Sequence, residues 1–72
     1  MESEKRKRFK RLAAQRTNKV LQKLQVLGNC SNRSSYEYDE ADVQKIFAEI
    51  DKAVKDSKAR FHYPRKKSQF KL

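Results

Sequence analysis

The chain has 72 residues, room for one small domain at most, and a formal net charge of +10 from 19 Lys+Arg against 9 Asp+Glu. Apolar residues make up 36% of it and charged residues 39%, with no Trp, which excludes a large core and sets the composition between a small globular domain and a partly disordered one. No apolar run approaches the roughly 20 residues that a bilayer requires, and residues 1–11 are charged with no apolar centre, so neither a membrane span nor a secretory signal is expected.

In chain order, residues 5–27 read as one amphipathic helix. Phe9, Leu12, Ala13, Val20, Leu24 and Leu27 recur on one side at 100° per residue, with Leu21 at the edge. Arg16 projects from inside this stripe, close to Phe9 and Val20, and is the least expected residue of the segment. The opposite side carries Arg8, Arg11, Gln15, Asn18, Lys19 and Gln22, a strip of cations and amides. Gly28 and Asn29 follow at once, and a glycine in the left-handed conformation is the expected stop.

Residues 28–37 form a polar connection in which Asn29, Ser31, Asn32, Ser34 and Ser35 supply turn chemistry. The second helix is expected over residues 39–61. Asp39 is its expected N-cap and Asp42 completes a short capping box, with Tyr38 and Val43 placed for a hydrophobic staple. Its apolar stripe runs Val43, Ile46, Phe47, Ile50, Val54 and Phe61, with Ala53 beside it. On its exposed side Asp51–Lys55, Lys52–Asp56 and Asp56–Arg60 stand four residues apart, the spacing of helix ion pairs. Pro64 disfavours helix at Tyr63, so the segment is expected to end near Phe61, leaving residues 62–72 as a basic flexible tail.

The expected fold is therefore all-α: an antiparallel two-helix hairpin over residues 1–61, headed by a basic N-terminal arm. One such hairpin buries little apolar surface, and neither a disulfide nor a metal cluster is available as a staple. A homodimer in which two hairpins build a four-helix bundle is the simplest remedy; docking on a larger partner is the other.

Residues 28–47, GNCSNRSSYEYDEADVQKIF, are similar in spacing to a stretch of short, basic, uncharacterised helical proteins of bacterial genomes and mobile elements. The resemblance covers the end of the first helix, the connection and the start of the second. It implies a bacterial or phage origin and a helical hairpin, and carries no named chemistry.

No catalytic constellation is visible, so the chain is not expected to be an enzyme or to hold a cofactor. The single Cys30 excludes an internal disulfide and fits a reducing compartment, which points to a cytoplasmic protein. A partly packed loop thiol is a better reading of Cys30 than a reactive one. His62, the single histidine, lacks the two or three further ligands that a metal site needs, and a surface or capping role is expected for it.

The charge distribution carries the functional expectation. Residues 1–27 hold nine basic and two acidic side chains, residues 28–60 six and seven, and residues 61–72 four and none. Two basic ends suggest contact with a polyanion. The run Lys5, Arg6, Lys7, Arg8, Phe9, Lys10, Arg11 is the strongest feature, because clustered cations release counterions from a phosphate backbone. A solvated charged face, a nuclear-import signal and a membrane-surface patch are its other readings; the last is weak with Phe9 as the only bulky residue among the cations. In the tail, Arg65, Lys66 and Lys67 lie between Tyr63 and Phe70, a mixture suited to stacking on single-stranded bases or to a disordered solubilising end.

Two function classes follow. In the first, the protein binds DNA or RNA backbone with low sequence specificity through Lys5, Arg6, Lys7, Arg8, Arg11, Gln15, Asn18, Lys19, Gln22, Arg65, Lys66 and Lys67. In the second, it is a small interaction module or inhibitor, such as an anti-defence protein of a mobile element, docking on a nucleic-acid-handling complex through Arg16, Tyr63 and Phe70. The first is preferred.

Overall fold

The computed structural model describes residues 2–63. The fold class is all-α, with two helices and no strand among the described residues. Helix α1 spans Glu4–Gly28, and a short 3-10 turn, Asn29–Ser31, continues from it. Helix α2 spans Glu40–Ala59. The chain divides into two units between Glu37 and Tyr38, one carrying α1 and the other α2.

Each helix begins where a side chain satisfies the first free backbone donors. Ser3 caps α1, its Oγ accepting the Arg6 N–H at 3.1 Å. Glu4 in the first turn suits the positive end of the helix dipole. Asp39 caps α2 in a reciprocal box: its Oδ1 accepts the Asp42 N–H at 2.8 Å, and Asp42 Oδ2 accepts the Asp39 N–H at 3.1 Å. The expected staple residues Tyr38 and Val43 are both half-buried.

The helix ends differ from the sequence expectation. Gly28 has φ −58° and ψ −26°, ordinary right-handed helix, not the left-handed cap. The chain tightens instead into the 3-10 turn Asn29–Ser31, whose i→i+3 bonds occupy carbonyls that a glycine cap would otherwise serve. Asn32 then holds a local turn together. Its Oδ1 accepts the Ser34 N–H at 3.0 Å, and its carbonyl accepts the N–H groups of Ser35 and Tyr36 at 3.1 and 2.9 Å. Helix α2 stops at Ala59, two residues short of Phe61. There the Arg60 and Phe61 N–H groups donate three residues back, to the Ser57 and Lys58 carbonyls, so the last turn is already 3-10 in pattern.

No described residue is buried. On α1, Leu12, Ala13 and Leu27 are half-buried, while Phe9, Val20 and Leu21 are 47–58% exposed. On α2, Val43 and Ile50 are half-buried, while Ile46, Phe47 and Val54 are 43–56% exposed. Both apolar stripes lie where the periodicity puts them, and each stays open to solvent along most of its length. No described helix is long and apolar enough to cross a membrane.

The expected ion pairs of α2 are a second departure. Asp51–Lys55, Lys52–Asp56 and Asp56–Arg60 keep their four-residue spacing, but none closes to ion-pair distance. All five side chains are exposed, where water competes well for such charges. The side-chain link on α2 at this spacing is Gln44 Nε2 donating to Glu40 Oε1 at 3.2 Å.

Candidate nucleic-acid interface

Helix α1 holds nine Lys and Arg residues, and Glu4 is its one acid. Capping by Ser3 places the run KRKRFKR, residues 5–11, in the first two turns of this helix, so its side chains are dealt to different faces. Lys7, Arg8 and Arg11 share one side with Glu4 and line a shallow depression. Lys7 Nζ stands 3.9 Å from Glu4 Oε1, an exposed pair that leaves the cation available to a stronger anion. Arg6 turns the other way and lies over the Phe9 ring, 5.8 Å from its centre. Lys10 pairs with Glu2.

The helix continues the polar side beyond these residues. Arg8, Arg11, Gln15, Asn18, Lys19 and Gln22 follow one another at three- and four-residue steps, and all are exposed. From Arg8 to Gln22 the strip is about 21 Å long at the helical rise of about 1.5 Å per residue. No acid interrupts it after Glu4. Long side chains along one side of a helix, with Glu4 at its start as the one carboxylate of the helix, can neutralise successive phosphates but have no fixed geometry toward base edges.

The site residues read from the sequence therefore separate into groups. Lys7, Arg8, Arg11, Gln15, Asn18, Lys19 and Gln22 come together on one side of α1. Lys5 and Arg6 flank the apolar stripe instead. Arg16 is exposed at the middle of α1, within the stripe and close to Phe9 and Val20 in the helical projection. Tyr63 is 72% exposed beyond the end of α2. Arg65, Lys66, Lys67 and Phe70 lie outside the described residues.

Two further features escape a reading by cluster alone. Lys23 stands seven residues after Arg16 and adds a second cation within the α1 stripe. Asp42, Glu49 and Asp56 make a matching row of acids along the edge of the α2 stripe. The seven-residue spacing is the signal for both rows.

Cys30, expected to be partly packed, is exposed on the 3-10 turn. Among the described residues no group of three His, Cys, Asp or Glu is placed to hold a metal ion. No protein-family model, curated protein or solved structure matches the chain.

Proposed function

We propose that this is a non-enzymatic nucleic-acid-binding protein of low sequence specificity. The observation that supports it is the exposed strip of cations and amides along α1, from Arg8 to Gln22, with no acid on the helix beyond Glu4. Phosphates of DNA or RNA lie along this strip, with Lys7 added once its exposed pair to Glu4 gives way to a phosphate. Lys5, Arg6 and the tail residues Arg65, Lys66 and Lys67 extend the contact electrostatically. Tyr63, on the tail side of α2, offers a ring for stacking on an unpaired base.

The scaffold of this reading is an antiparallel hairpin of α1 and α2, and two copies complete a four-helix bundle that covers the apolar stripes. It works inside the cell, and the spacing likeness of residues 28–47 favours a bacterial or mobile-element origin. The test is a salt titration of binding to generic duplex and single-stranded DNA and RNA. Affinity falling steeply with salt and indifferent to sequence supports the reading. No binding at about 50 mM salt, where phosphate contacts are strong, overturns it in favour of a protein-docking module.

A further inference from the structure

The side of α1 opposite its apolar stripe is not uniformly charged. Beyond Arg11 its centre consists of amides: Gln15, Asn18, Gln22 and Gln25 follow at steps of three, four and three residues. At about 100° per residue these four stand within about 80° of one another. Three of the chain's five glutamines are in this row. All four side chains are exposed, and none of their amide groups makes a hydrogen bond among the described residues, whereas Gln44 on α2 donates to Glu40. Arg8 and Lys19 stand on one shoulder of the row and Lys7 on the other, and Arg11 continues it toward the N-terminus. Glu4 is eleven residues ahead of Gln15, about 16 Å along the helix, and lies clear of the row.

We propose that the nucleic acid is duplex DNA and that α1 lies in its major groove, with the amides on base edges and the shoulder cations on the phosphates of the groove walls. This rests on the nucleic-acid reading above and names the polynucleotide it takes. Phosphate contact alone does not ask for amides, because an uncharged side chain releases no counterion. A carboxamide carries two N–H donors and a carbonyl acceptor. Every base pair offers the major groove a purine N7 acceptor and an exocyclic amine donor, so such side chains find partners over any sequence. Contact with base edges and low sequence specificity are therefore compatible.

Dimensions agree. A helix with its side chains is about 10–12 Å across, and the B-form major groove is about 12 Å wide. From Gln15 to Gln25 the row is about 15 Å long, the rise of about four base pairs. Double-stranded RNA does not admit the same helix, since its major groove is deep and narrow. Single strands are held on aromatic platforms, and the row and its shoulders carry no ring; Phe9 lies on the other side of α1 beneath Arg6. The row stands opposite Phe9, Val20 and Leu27, so whatever covers the apolar stripe leaves it open.

The experiment is fluorescence anisotropy with the full chain on four probes of equal length: a duplex DNA, the same duplex with every purine N7 replaced by C–H, a double-stranded RNA and a single-stranded DNA. Wild type is compared with Q15A/N18A/Q22A/Q25A, which keeps the charge and raises helix propensity, with circular dichroism as the check on α1. Wild type is expected to bind the natural duplex about tenfold or more tightly than each of the other three. The variant is expected to bind natural and N7-lacking duplexes alike, and to keep the salt slope of wild type because no phosphate contact is removed. Equal binding of wild type to the two duplexes, or binding to RNA or the single strand as tight as to duplex DNA, overturns the groove assignment and leaves the phosphate reading intact. An N7 effect that persists in the variant overturns it too, since the groove contact then lies off the amide row. No binding to any of the four probes at about 50 mM salt overturns both readings.

Discussion

Asp39 and Asp42 cap each other at the start of α2: each carboxylate accepts the backbone N–H of the other, at 2.8 and 3.1 Å. Two donors that helix geometry leaves free are satisfied by one pair of side chains, and both negative charges face the positive end of the dipole. With no described residue buried, such local terms weigh heavily in whether α2 forms. Asp39→Ala is expected to cost about 1 kcal/mol of helix stability, and Asp39→Asn less, since the amide oxygen still accepts. Far-ultraviolet circular dichroism through a thermal melt reads this; an unchanged melt for Asp39→Ala shows that α2 does not depend on its cap.

Gly28 yields a prediction of opposite sign. It sits in right-handed helical conformation, and a Cβ added there meets nothing within 4 Å. Gly28→Ala removes freedom from the unfolded chain without a steric penalty and is expected to stabilise α1 by about 0.5–1 kcal/mol. A rise in helicity and melting temperature checks it. A fall indicates that the glycine visits the left-handed region in solution, as the sequence alone suggested.

The helices were legible because their signals are local. Apolar residues at three- and four-residue steps, Asp39 with Asp42, and Pro64 after the second stripe mark element and boundary to within one or two residues. The Gly28 conformation was not legible, since the same glycine serves a left-handed cap or a right-handed turn that runs on into a 3-10 continuation. Nor was the division of the basic run legible from composition: seven consecutive residues look like one patch, yet helical geometry sends Arg6 to Phe9 and Arg8 to the opposite side. The acid row of α2 shows the same limit. Four-residue spacing suggested Lys52–Asp56, but exposed pairs gain too little to fix both side chains, and the seven-residue row remains.

Cys30 is exposed on the 3-10 turn. Cys30→Ser is expected to leave the thermal melt and nucleic-acid affinity within error of wild type, as for surface substitutions that touch nothing. A thiol reagent should label the native protein fully and at the rate of a free peptide thiol. Protection of the native thiol, or loss of binding on substitution, marks a role for Cys30 that its exposure does not indicate.

The basic side of α1 makes the sharpest prediction. If the four cations of its strip, Lys7, Arg8, Arg11 and Lys19, together with the flanking cations neutralise about six phosphates of duplex DNA, log affinity should fall against log salt with a slope of about −5. Arg8 and Arg11 are exposed, unpaired among the described residues, and one turn apart on that strip. Replacing both by Ala should reduce the slope by about two units, because each removed phosphate contact retains its counterion. The loss should be the same on every sequence tried, since phosphates carry no base information. Arg6→Ala serves as the contrast: its guanidinium lies over Phe9, away from the strip, so its effect on the slope should be well below one unit. Equal effects of Arg6 and Arg8 would mean that net charge, not the face built by α1, governs binding. A slope unchanged by the Arg8 and Arg11 substitutions, together with large losses from Phe47→Ala or Ile46→Ala, would shift the interface to the apolar side of α2 and to a protein partner.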